Sequence, residues 1–183
     1  MTSAYRMPLV GFAGGKETGK TTASKFLKRR FGYRIFSFAD PIRKLMRALG
    51  VTKQYYTDDK DAIIPHLGKS ARFCMQTLGT NWARKQISET IWLDMMARRL
   101  KDAKLHKYLI TIDDVRFDNE AELVKEFGGF LIRVERGDTP SDSHVSEAGI
   151  SDDLVDLAIE NHGTVTELGL IMEELISDRS LLS

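Results

Sequence analysis

The sequence contains one cysteine, Cys74, in 183 residues, so neither an intramolecular disulfide nor a multi-cysteine zinc site can form. That scarcity fits a reducing compartment, and Cys74 itself is expected to be a packing residue. No apolar run is long enough to cross a bilayer, and Met1 to Met7 carry no basic cluster followed by an apolar stretch. The chain is therefore expected to be soluble, unexported and cytoplasmic, with no membrane partner. An excess of one charge is missing as well: 27 Lys and Arg stand against 26 Asp and Glu, a net charge of +1. There is then no global field to hold nucleic acid, and any selectivity for an anion has to be local. Repeats and low-complexity tracts are absent. With 42% hydrophobic and 29% charged residues, the chain reads as one globular domain over 1–183 with a core of ordinary size.

Against these absences stands one informative stretch. Leu9 to Ala13 reads as a short apolar strand running into Gly14-Gly15-Lys16-Glu17-Thr18-Gly19-Lys20-Thr21-Thr22, the pattern G-x-x-x-x-G-K-T. Gly14 and Gly19 let the backbone fold back so that successive N–H groups converge on phosphate oxygens, and the following helix points its positive end at the same anion. Lys20 would reach the β- and γ-phosphates and Thr21 a Mg²⁺. A chance match in a Gly-rich turn is the bland alternative, but a strand before and a helix after are the context the motif demands.

Further along, Ala23, Phe26, Leu27 and Phe31 recur at helical spacing and Gly32 is a natural stop, while Tyr33 to Phe38 alternates as a second strand. In Ala39-Asp40-Pro41, Asp40 is either a helix N-cap or a carboxylate at a strand tip able to hold a Mg²⁺-bound water or a substrate hydroxyl. Arg43 and Lys44 would meet an anionic substrate if that helix faces the loop; otherwise they serve solubility. Residues 51 to 69 lose all periodicity and read as an inserted or mobile segment rather than core. A helical pattern resumes at Ser70 and breaks at Gly79. Trp82, Trp92, Met95 and Met96 are expected in the core, whereas Arg72 and Arg84 suit bidentate phosphate contact and Gln76 a base edge.

Tyr108 to Ile112 is a near-continuous apolar strand ending in Asp113 and Asp114, as in a buried parallel sheet. Asp113 is the candidate to help Thr21 hold a metal, and Arg116 lies just past the tip, on the edge where open α/β sheets bind ligands. Phe130 to Val134 and Leu157 to Ile159 are further strands. Between them lies a polar segment with the composition of a lid, with Arg136 at its base and His144 inside it. Strand and helix alternate throughout, which predicts a three-layer α/β/α domain with a mostly parallel five-stranded sheet and right-handed crossovers.

Gly14 to Thr21, Phe38-Ala39-Asp40-Pro41, Leu78-Gly79-Thr80 with Arg84, Asp113-Asp114-Val115-Arg116-Phe117 with Asn119-Glu120, and Ile159-Glu160-Asn161-His162-Gly163 together resemble the deoxynucleoside monophosphate kinase family. The likeness extends over nearly the whole chain, and that family is similar in fold to other nucleoside monophosphate kinases. It implies Mg²⁺-dependent transfer of a phosphoryl group from ATP to a small nucleoside monophosphate, with 51–107 as an acceptor-binding helical insertion and 136–150 as the lid. It also implies Lys20 and the loop amides on the donor phosphates, and Thr21 with Asp113 on the metal. The acceptor would meet Asp40, Arg43, Lys44, Arg72, Gln76, Arg84, Asp114 and Arg116, Arg136 would serve the transferring group, and Lys20, Asp40, Arg116 and Arg136 are the catalytic candidates. A homodimer is compatible with the sequence. Two alternatives stay open: a phosphate-loop kinase of another small metabolite, and a nucleotide-binding accessory protein. A GTPase switch is disfavoured, since no Asn-Lys-x-Asp run is present.

Overall fold

The fold is described over residues 7–137 and 149–177 of a computed structural model. In chain order the elements are β1 (Leu9–Ala13), α1 (Lys20–Phe31), β2 (Arg34–Phe36), α2 (Asp40–Ala48), α3 (Lys53–Thr57), β3 (Ile63–Ile64), β4 (Lys69–Ser70) and α4 (Ala71–Gln76). A wide π-helical stretch (Thr77–Ile87) follows, then α5 (Ile91–Leu105), β5 (Ile110–Ile112), α6 (Asp118–Glu126), β6 (Phe130–Glu135), a 3₁₀ turn (Asp152–Leu154), β7 (Leu157–Glu160) and α7 (Val165–Ser177). They fall into two units: one holds the chain up to Ser37 and from Ala97 onward, the other is Phe38–Met96. Of the expected acceptor insertion at 51–107, residues 51–96 belong to the second unit and 97–107 to the first.

In the first unit every residue of β1 is buried, as a strand covered on both faces requires. The sheet runs β2-β5-β1-β6-β7 with all four pairings parallel, the five strands expected from the sequence. Alternation sorts the side chains into layers. Val10, Phe12, Ile132, Val134 and Ile159 pack with Ala23 and Leu27 of α1 and with Leu168, Met172 and Ile176 of α7. Gly11, on the opposite face, lies against Leu131, Val115 and Val124 of α6. Helices therefore cover both faces, and the predicted three-layer architecture is the one observed.

Local signals fix the helix ends. α1 stops where Gly32 turns left-handed at φ 79°. Before α7 the capping box closes as its spacing predicts: Thr164 N–H donates to Glu167 Oε2 at 2.6 Å, and Glu167 N–H to Thr164 Oγ1 at 3.3 Å. Tyr33, 1% exposed, donates its hydroxyl to the Met7 carbonyl at 2.6 Å, which satisfies both polar groups in the core.

The second unit corrects several expectations. Residues 51 to 69 are not outside a core: Val51, Tyr56 and Ile64 are buried with Met46 and Ala71 in one cluster. Periodicity fails there because the buried residues come singly from a loop, from the short α3 and from the β3–β4 hairpin. Asp40 is not an N-cap; Ala39 holds that position and Asp40 is the first helical residue, followed by Pro41. Nor does Gly79 end a helix. The π-helical turns run through it, a Cβ there would stand 2.8 Å from Ile42 Cδ1, and its carbonyl accepts from Trp92 Nε1 at 2.9 Å. Trp92 and Met96 are buried as expected, but Trp82 and Met95 are 41% and 39% exposed; Trp82 lies in the wider π-helical turns, which move residues off the apolar stripe of an α-helix.

Two outcomes follow. Tyr33→Phe leaves the Met7 carbonyl buried and unsatisfied, so denaturant unfolding should show a loss of about 1–3 kcal/mol. The Thr164 amide and hydroxyl hold the Glu167 carboxyl below the usual glutamate range. A lowered folded pKa gives a contribution present above the ordinary glutamate value and lost as pH falls through the lowered one. The exchange protection factor of the Thr164 amide should drop over that acid range in the native chain and stay flat in Glu167→Gln.

Candidate active site

Parallel pairing brings the carboxyl ends of all five strands to one edge of the first unit, and there the chain leaves β1 at Ala13. Gly14 has φ 123°, and a Cβ would lie 2.1 Å from the Val134 carbonyl oxygen, so only glycine fits. The loop runs through Glu17 at φ 63° to Gly19 at φ 114°, the N-cap of α1, where Ala23 N–H to Gly19 O at 2.9 Å opens the helix. No acidic residue stands in the first turn of α1. Its N–H groups and positive dipole end are therefore unopposed by a carboxylate, the arrangement that binds anions. Thr18 is buried and donates its hydroxyl to the Gly15 carbonyl at 3.2 Å. Lys20 Nζ folds over the same loop, donating to that carbonyl and standing 3.4 Å from Thr18 Oγ1. Gly15, Lys16 and Glu17 are exposed, Thr21 is exposed and Thr22 half-buried.

The neighbouring strand tips supply the charged groups. Beyond β5, Asp113 N–H bonds the Phe36 carbonyl at 3.2 Å and Val115 N–H the Phe12 carbonyl at 3.1 Å, so the acidic pair is tied to β2 and β1. Asp114 Oδ2 accepts from the Ser37 hydroxyl. Arg116 is exposed, and its backbone N–H is held at 2.8 Å by Oε2 of Glu120, a carboxylate 3% exposed. Arg136 is exposed one residue past β6. At the end of β7, Asn161 is buried and donates Nδ2 to the Thr18 carbonyl at 2.8 Å. The edge thus gathers Gly14 to Thr22, Asp113, Asp114, Arg116 and Arg136. His144 and residues 138–148 of the expected lid lie outside the described residues.

The other candidates belong to the second unit. Asp40 and Arg43 are half-buried and form an ion pair at 3.4 Å within α2, with Lys44 exposed beside them. Arg72 grips Asp61 with two hydrogen bonds of 2.6 and 2.9 Å, so its fork already meets a carboxylate. Gln76 is exposed at the end of α4, and Arg84 is half-buried in the π-helical stretch. Glu120 and Asn161 entered the sequence analysis only within the runs that carry the family resemblance, with no role assigned to either. Each sits inside a charged or polar run after a strand, and its task is a contact with backbone, which no spacing rule marks.

A β-strand, glycine turn and helix with a lysine at its first position, on an edge carrying two carboxylates, define a phosphate-loop nucleotide-binding domain. An APS kinase of Mycobacterium tuberculosis, solved with AMPPNP and APS, has this fold: the TM-score is 0.55 at 9% identity, over 94% of this chain and 99% of that one. The family model for deoxynucleotide monophosphate kinase matches residues 68–171. A protein of Acanthamoeba polyphaga mimivirus, provisionally given that name, is 33% identical over 88% of this chain and 92% of its own length. The deoxynucleotide monophosphate kinase of Escherichia phage RB69 is 32% identical over 58% of this chain and 45% of that enzyme. The chain belongs to the deoxynucleotide monophosphate kinase family, ATP-dependent enzymes that phosphorylate a nucleoside monophosphate. Among the described residues no helix is long and apolar enough to cross a membrane.

Glu120 gives the site its own test. Hydrogen bonds to charged groups are worth about 1.5–3 kcal/mol, so Glu120→Ala should lower kcat/KM by roughly ten-fold or more by releasing the backbone at Arg116. Glu120→Gln keeps an acceptor oxygen and should retain most of the activity in steady-state assays.

Proposed function

We propose that the loop from Gly14 to Thr22 and Lys20 hold the donor phosphates of ATP, and that Asp114, Arg116 and Arg136 act on the acceptor and the transferring phosphoryl group at the same edge. The observation that supports this most is the placement of these residues at the ends of three adjacent strands, β5, β1 and β6, with Lys20 folded over the loop between them. For the acceptor the second unit offers Asp40, Arg43, Lys44, Arg72, Gln76 and Arg84.

The chemistry asks little of a base. An acceptor phosphate has a second pKa of about 6, so its attacking oxygen is already ionised near neutral pH. The barrier lies in bringing two polyanions together and spreading the charge of the passing phosphoryl group. Lys20 and the loop amides counter charge on the donor, Arg116 and Arg136 on the group in flight. The Thr21 hydroxyl and Asp113 carboxylate are hard oxygen donors that suit Mg²⁺, and Oδ1 of Asp113 is sealed from solvent. Among the described residues no group of three or more His, Cys, Asp or Glu forms a metal site, which suits a cation held mainly by nucleotide phosphates. When bound it would neutralise phosphate charge.

The deciding assay is ADP production from Mg-ATP with a panel of deoxy- and ribonucleoside monophosphates, with Lys20→Ala as the blank. Turnover with one or more deoxynucleotides, lost in the blank, is the expected result and ranks the acceptors. Silence across the panel with ATP binding intact would overturn the acceptor assignment and favour a kinase of another metabolite.

A further inference from the structure

We infer that Asn161 is a positioning residue that locks the phosphate loop in its anion-binding form. Its backbone N–H is fixed to the Glu135 carbonyl at 2.7 Å, so the residue is anchored where β7 leaves the sheet. From that anchor its side chain, 6% exposed, reaches across 143 positions and donates Nδ2 to the Thr18 carbonyl at 2.8 Å. Thr18 and Gly19 share one peptide unit. In a trans peptide the C=O and the next N–H point to opposite sides, so drawing the Thr18 carbonyl toward Asn161 turns the Gly19 N–H away from it. That N–H is one of the loop amides assigned to ATP, and the inference rests on that assignment.

Gly19 makes the lock both necessary and feasible. At φ 114° and without a Cβ, it offers no steric barrier to a flip of the Thr18–Gly19 peptide. A Cβ would also lie 2.5 Å from Asn161 Nδ2, so the glycine leaves room for the amide that holds the unflipped form. The amide's chemistry is specific. A neutral donor satisfies the carbonyl, whereas an ionised carboxylate there has no proton to donate, repels the carbonyl oxygen and sets a negative charge beside a phosphate site.

The test is Mg-ATP binding by titration calorimetry for the native chain, Lys20→Ala, Asn161→Ala and Asn161→Asp, with circular dichroism to follow folding. The titrations run from about pH 5 to about pH 8, a range that covers the raised pKa of a buried carboxyl. Asn161→Ala should weaken ATP roughly ten-fold at every pH, with the acceptor KM moved less than the ATP KM. Asn161→Asp should be weaker still at the alkaline end and approach the native chain toward the acid end, where a protonated carboxyl again donates to Thr18. Dividing by the native value at each pH removes the titration of ATP itself. Native-like binding by Asn161→Ala, an Asn161→Asp ratio that does not change with pH, or unfolding of both variants throughout would each overturn the inference. Unfolding counts because it makes Asn161 a residue of general stability. If Lys20→Ala bound ATP like the native chain, the loop assignment would fail as well, a result distinct from a failure confined to Asn161.

Discussion

In this chain a row of backbone N–H dipoles, the positive end of α1 and the ammonium of Lys20 are gathered at one short loop. Like poles held together repel, and the loop adds backbone strain, since Glu17 at φ 63° occupies a region that costs a non-glycine residue on the order of 1 kcal/mol. Thr18 and Lys20 tie the loop to its own Gly15 carbonyl, but those bonds do not anchor it to the sheet. The restraint comes from outside: β6 stands close enough to Gly14 to exclude any side chain there, and Asn161 at the end of β7 fixes the far limb. The parallel sheet is therefore more than a platform. It is the frame against which an unfavourable assembly of charge is braced.

The same edge explains how two carboxylates coexist with the proposed phosphate site. Asp114 accepts from Ser37, the acidic pair is tied through its backbone to β2 and β1, and Arg116 follows in the same turn of chain. A negative charge near an anion is tolerable only if it serves the anion, through a cation or by orienting an arginine. Glu120 shows the second use: a buried carboxylate that accepts from the backbone N–H of Arg116.

The residues proposed for the donor were legible as a group because their spacing is local. Gly14, Gly19, Lys20 and Thr21 lie within one loop, and Asp113 and Arg116 follow the end of a continuous apolar strand, so spacing alone announces them. The second unit was not legible for the opposite reason. Its core collects Val51, Tyr56 and Ile64 from separate short elements, none long enough to show a period, and the π-helical turns carry Trp82 into solvent where α-helical spacing puts it inside. Asn161 was visible only as one letter of a polar run. Its role is a contact with a carbonyl far away in the chain, and a carbonyl has no letter of its own.

Pairing across the sheet also has an order in time. β1 joins β5 and β6, with Leu9 opposite Ile110 and Val10 opposite Phe130, so the strand that launches the loop finds both neighbours only after most of the chain exists. Contacts of such sequence separation close late and slowly. As the polypeptide emerges from the ribosome, the glycine loop comes out well before its brace in β6 and at Asn161. Until β7 is made, the loop lacks the contact from Asn161 to the Thr18 carbonyl that it has in the fold. In this architecture the first-made segment of the sheet is among the last to gain its full set of neighbours.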